Sequence, residues 1–169
     1  MTILQIIHDV SPESPREWDN LGTMICNHSR YSLGDESFNS EDYSSWNAVR
    51  SFKIPKPSIV LPLYLYDHGG ITISTTPFSC QWDSGQVGWI YVTDKKAREE
   101  LGYERISRQR RETIARYLRG EVETYDQYLR GDIWGYQILE DDEIIDSCYG
   151  FYGEDDAREA GQEAKQGRA

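Results

Sequence analysis

Three cysteines, three histidines and twenty-nine carboxylates are the side chains of this 169-residue chain that could do chemistry, and their spacing narrows what that chemistry is. Cys26 and His28 form a Cys-x-His pair, which His68, Cys80 and Cys148 could join from elsewhere in the fold as a metal site. Structural zinc is held by closely spaced ligand pairs at both ends of a site, and only one such pair occurs. The rival reading makes the cysteines small buried hydrophobes. Cys80, Asp83 and His68 fall on adjacent elements and could serve as nucleophile, acid and base. Against that, no nucleophile-elbow pattern surrounds any serine, and His68 also suits a plain hairpin turn. Walker and G-x-G-x-x-G loops are absent, and Ser84-Gly85-Gln86-Val87-Gly88 follows no strand and opens no helix. The expectation is a protein without catalytic residues, cofactor or metal, hence not an enzyme.

The carboxylates carry the denser signal. Residues 131–169 hold eleven acids and three bases, a net charge of −8 within a total of −11. Eight of those acids, Glu140, Asp141, Asp142, Glu143, Asp146, Glu154, Asp155 and Asp156, are the candidate partner-binding residues, because clustered carboxylates steer cationic surfaces as phosphates do. The alternative is a solubilising turn followed by an acidic helix start, which favours negative charge in any protein. Arg105, Arg108, Arg110, Arg111, Arg116 and Arg119 read as a solvated helix face diluted by Glu112, Glu121 and Glu123.

Several elements must position these groups. Residues 2–8 suit a short edge strand, Ser11–Pro15 a turn, and Thr23–Cys26 a second strand. Residues 27–56 read as a long ordered loop with one helical turn near Tyr43–Val49, pinned by Tyr31, Phe38, Tyr43, Trp46 and Phe52. Ile59–Tyr66 and Ile71–Thr75 flank an Asp-His-Gly-Gly turn as a hairpin, Pro62 marking an edge or bulge. Val87–Val92 is the next strand, entered by a tight turn in which Gly85 supplies a positive φ while Gly88 permits close backbone approach; Val at 85 is then expected to lower stability. A short helix from Asp94 to Leu101 is closed by Gly102, and Ser107 caps a long one whose stripe is Ile114, Leu118, Val122, Tyr125 and Leu129. A second hairpin, Ile133–Leu139 with Ile144–Phe151, turns through Glu140–Glu143, and Glu154–Lys165 closes the chain as a helix with small residues on one side. Strands and helices mix without βαβ alternation, which predicts an α+β single domain over residues 1–169, its sheet mainly antiparallel and built from hairpins, with one long and one or two short helices.

Composition sets limits on function. Apolar residues are 38%, yet twelve Tyr, five Trp and four Phe are too many aromatics for a disordered acidic chain. With a pI near 4.7 the surface repels phosphate backbones, so direct nucleic-acid binding is disfavoured. Residues 2–7 lack the basic flank of a signal peptide, no stretch suits a membrane span, and three scattered cysteines fit a reducing cytosol.

Five blocks carry a resemblance. Trp18-Asp19-Asn20-Leu21-Gly22, Leu33-Gly34-Asp35, Pro62–His68 with Gly70-Ile71-Thr72, Phe78–Gly88 with Ile90-Tyr91-Val92, and Asp146–Gly153 together make the chain resemble a family of small acidic proteins encoded by bacteriophages, plasmids and other mobile elements. Gly69 and Gln81 stand where that family is expected to have Ser and Pro. The resemblance implies a genetic setting and no catalytic residue. By analogy it implies an inhibitor of a bacterial defence in the host cytosol: an anti-CRISPR protein whose acidic, DNA-mimicking surface binds the basic surface of a CRISPR-Cas effector complex. The rivals are a Cys/His-dependent enzyme that modifies a host target and a phage accessory protein without inhibitory role.

Overall fold

The computed structural model describes residues 1–167, which form two compact units of α+β structure with mostly antiparallel sheets. Residues 1–15 and 124–169 make the first unit and residues 16–123 the second, so both ends of the chain belong to the same unit.

In the second unit β2 (Thr23–Cys26), β3 (Glu36–Ser37), β4 (Ser58–Asp67), β5 (Ile71–Ser74) and β6 (Ser84–Thr93) form one sheet in the order β3-β2-β6-β4-β5. Every pairing is antiparallel except β2 with β3. Pro62 is tolerated within β4 because β5 reaches only Tyr64 to Asp67, leaving the outer side of Pro62 without a strand, and a bulge follows at Leu63/Tyr64. Residues 27–56 hold more regular structure than the expected loop: a 3-10 turn at Ser40–Asp42 and the two-turn helix α1 (Trp46–Lys53), whose cap Ser45 accepts from the Ala48 N–H at 3.2 Å. Pro55 disfavours helical geometry at Ile54, and α1 stops there. Phe52, expected among the aromatic pins, is 80% exposed, whereas Phe38 is edge-on to both Tyr43 and Trp46, and Trp89 donates its indole N–H to the Trp46 carbonyl at 3.1 Å. Phe38, Tyr43 and Trp46 close a core over Ile25, Val49, Ile54 and Trp89.

Glycine behaviour in β6 departs from expectation at one position and meets it at the other. Gly85 lies inside the strand without positive φ, and a Cβ built there meets nothing within 4 Å, so the predicted tight turn is corrected to extended backbone beginning at Ser84. At Gly88 a Cβ would stand 2.0 Å from the Ile25 carbonyl oxygen on β2, the close approach that its position suggested. Helix α2 (Asp94–Leu101) ends on left-handed Gly102 as predicted, and Ser107 caps α3 (Arg108–Leu129), accepting from the Arg110 N–H at 3.3 Å. Ile114, Leu118, Val122 and Tyr125 of its stripe are buried.

Arg16, its side chain only 5% exposed, binds Asp35 through Nε at 2.9 Å, Glu121 at 3.0 Å and the Gly22 carbonyl at 2.8 Å. Asp35 in turn accepts from the Met24 N–H at 2.7 Å, and Glu121 from the Gly22 N–H at 3.0 Å. Burial alone would lower the Arg16 pKa, but the two carboxylates outweigh it and hold the guanidinium above its ordinary value. These contacts give the Trp18–Gly22 and Leu33–Asp35 blocks an architectural role, because removing one partner would strand a desolvated charge.

The first unit contains the sheet β1-β7-β8 from β1 (Thr2–His8), β7 (Ile133–Glu140) and β8 (Glu143–Tyr152), antiparallel throughout. Helix α4 (Glu154–Gln166) packs on one face through Ala157 and Gly161, where a Cβ on Gly161 would lie 2.7 Å from Leu4 and 3.0 Å from Tyr136. This confirms the small-residue side read from the sequence. On the other face the Tyr149 ring covers Gly135, whose missing side chain makes room for it, and its hydroxyl accepts from Gln137 at 2.7 Å.

Asp132 lies at the entry to β7. It accepts from the Trp134 indole at 2.9 Å and from Gln127 at 3.2 Å, and the Trp134 bond, acting against burial, holds its carboxyl below the ordinary Asp value. A depressed folded value stabilises the native state above the ordinary Asp range and loses that contribution as pH falls through the depressed value. Urea midpoints of Asp132→Asn should therefore fall less steeply than those of the wild type below about pH 4; parallel curves would show that Asp132 does not report on folding.

Candidate functional site

The eight predicted carboxylates all lie in the first unit, but in two groups. Glu140–Glu143 form a two-residue hairpin turn in which Asp141 and Asp142 both take left-handed backbone, φ 49° and 69°, the conformation such a turn demands and one Asp tolerates better than most residues. The Met1 ammonium reaches Asp141 at 3.3 Å, both groups being almost fully exposed. Glu154, Asp155 and Asp156 stand at the opposite end of β8, about 30 Å away for a ten-residue strand at 3.3 Å per residue. Half-buried Asp146 lies between them, paired across to Ile138. The eight residues are thus brought onto one unit and not into one cluster.

Two further acids extend the second group. Asp156, Glu159 and Glu163 are exposed and spaced three and four apart, which aligns them as a ladder along α4. Helical spacing across Glu154–Lys165 carried that signal; attention to consecutive acids passes over it. The charge division is sharper than sequence windows suggest, with fourteen acids against four bases in the first unit, net −10, and fifteen against fourteen in the second, net −1.

The residues weighed for catalysis do converge, in the second unit. Asp83 Oδ2 lies 3.2 Å from His68 Nδ1 and accepts from the Cys80 thiol at 3.8 Å. Thiol and imidazole therefore meet the same carboxylate oxygen instead of each other. Nucleophilic attack by the thiol would need the imidazole beside the sulfur, whereas these contacts are suited to holding the Cys80–Asp83 loop. The Ser84 hydroxyl, donating to the Cys80 carbonyl, and the Asp67 N–H, donating to the Asp83 carbonyl at 2.8 Å, fasten the same loop.

Cys26 and His28 do not share a site. Cys26 is buried, and that burial, with Asp35 adding to it, pushes its pKa up to about 12. His28 instead accepts the Arg30 N–H on Nδ1 at 3.1 Å, which leaves its Nε2 as the donor. Among the described residues no group of three or more His, Cys, Asp or Glu is placed to hold a metal ion. Thiol labelling follows directly: a maleimide should modify exposed Cys148 at once and spare Cys26 until the chain unfolds. Prompt labelling of Cys26 in the native protein, read by peptide mass, would contradict its placement.

No family model, curated protein or solved structure matches this chain. Among the described residues no helix is long and apolar enough to cross a membrane.

Proposed function

We propose that this protein is a phage or mobile-element inhibitor of a bacterial defence system, an anti-CRISPR protein that acts in the host cytosol by binding the cationic surface of a CRISPR-Cas effector complex. The observation that carries the reading is the gathering of nearly all the net negative charge on one small unit, where a hairpin turn and a helical ladder present carboxylates to solvent. Effector complexes hold guide and target in positively charged channels, which is the surface such a unit complements. The resemblance to mobile-element proteins supplies the setting, as analogy.

The mode of action is occlusion, so potency should follow stoichiometry. Guide-loaded effector complexes of several types are mixed with the protein, and target-DNA binding is followed by gel shift as the protein is titrated. Loss of DNA binding near one protein per complex, with the complex recovered chemically unchanged, is the expected result. Retention of DNA binding by every complex at a large excess of protein, or inhibition at substoichiometric levels with a modified subunit, would overturn it.

A further inference from the structure

Trp82 is 96% exposed although its neighbours are tied down, Cys80 and Asp83 through their mutual contact and Asp83 through His68. The indole is therefore displayed by an anchored loop. It borders an open cleft of about 380 Å³ whose floor and walls include Asp67, Asp83, Gly85 and Arg30. Arg30 is already committed to Asp67, and Asp67 also receives the Tyr31 hydroxyl at 3.3 Å. Asp83, 40% exposed, faces a histidine and a thiol, so its carboxylate is the charge in the cleft that no arginine or lysine among the described residues answers. Gly85 leaves open space above the backbone beside it.

From this geometry we infer that the cleft beside Trp82 is a recognition pocket for an arginine side chain of a protein partner, the guanidinium lying over the indole and donating to Asp83. A guanidinium is the group that satisfies both features at once, since its plane stacks on an aromatic face while its edge forks onto a carboxylate. The chain uses the same pairing internally, with Arg30 over Tyr31, Arg50 over Trp89 and Arg110 over Tyr103, while no cation among the described residues lies over Trp82. That the arginine belongs to a basic effector rests on the function proposed above; the pocket's chemistry does not.

The test titrates N-acetyl-arginine amide, N-acetyl-lysine amide and the neutral isostere N-acetyl-citrulline amide into the protein, following by NMR the Trp82 indole N–H and the backbone amides of Gly85 and Gln86. Saturable shifts with the arginine probe in the millimolar range, at least tenfold weaker with citrulline, are expected of a single side chain in an open cleft. Trp82→Leu, at a position too exposed to affect folding, should abolish the Gly85 and Gln86 shifts while keeping an apolar side chain. No shift with arginine, equal affinity for citrulline, or unchanged shifts in Trp82→Leu would each overturn the pocket. Failure here with effector binding intact would leave the proposed function standing, and arginine binding without any effector binding would do the reverse.

Discussion

Gly88→Val should destabilise the protein by about 3 kcal/mol or more, whereas Gly85→Val, three residues earlier on the same strand, should change stability by less than about 1 kcal/mol. At Gly88 the first added carbon would meet a backbone carbonyl oxygen at 2.0 Å, and that oxygen belongs to a strand paired on the other side of the contact. Relief would require β2 and β6 to separate, breaking the ladder from Thr23 to Cys26 and the core beneath it. At Gly85 nothing lies within 4 Å and the backbone is extended, so a β-branched residue meets no clash and suits the strand. Urea unfolding of the two variants side by side checks the pair of claims. Equal midpoints would mean that β2 and β6 leave room for a side chain at Gly88.

A comparable loss, in binding, is expected when the acidic surface of the first unit is altered in a way its backbone tolerates. Lysine at 141 or 142 would force a long side chain into left-handed backbone, and lysine at 155 or 156 would oppose the dipole at the start of α4, so either could act through folding. The cleaner variant combines Asp141→Asn and Asp142→Asn with Glu159→Lys and Glu163→Lys, since Asn keeps the turn and the two helical sites lie beyond the first turn. Its formal charge moves from −11 to −5. Glu99→Lys, Glu104→Lys and Glu112→Lys in the second unit make the same change at exposed positions, where the i,i+4 ion pairs of Glu99 with Lys95 and Glu112 with Arg108 contribute little. Association with the effector should slow by about 10- to 1,000-fold in the first variant at low salt and converge on the wild type as ionic strength rises. The control should lose far less. If both variants slow equally, net charge and not the first unit governs the encounter; if neither slows, the surface is only solvated.

Those two experiments separate what could be read along the chain from what could not. Periodic signals survived folding because they report burial directly: the stripe from Ile114 to Tyr125 is buried, the small side of α4 receives Leu4 and Tyr136, and the Asp-His-Gly-Gly and Glu-Asp-Asp-Glu segments both turn hairpins. Local chemistry sufficed there, since a cap, a left-handed residue or a 3.6-residue repeat acts within a few positions. The helix α1 was understated because it is only eight residues long, too short to be stable by local preference, and its formation depends on packing against Trp89 from a distant strand. The sequence suggested a positive φ at Gly85 and a close backbone approach at Gly88; only the sheet shows that the first is extended and replaceable and that β2 makes the second indispensable.

The candidate site divides in the same way. Its composition was legible, for the sequence alone placed most of the acidity in the last forty residues and named eight carboxylates. Their division into a turn and a helix start at opposite ends of β8 required knowing the length and direction of that strand. The return of residues 1–15 to the unit built by residues 124–169 is likewise a tertiary fact, set by the pairing of Thr2–His8 with Trp134–Glu140. Convergence of Cys80 and His68 on one oxygen of Asp83, and the stranding of Trp82 in solvent beside it, depend on contacts between β4, β6 and the loop they hold. Short-range preferences determine which elements form, whereas the meeting of side chains far apart in sequence is decided by strand register and packing, and those exist only once the chain has folded.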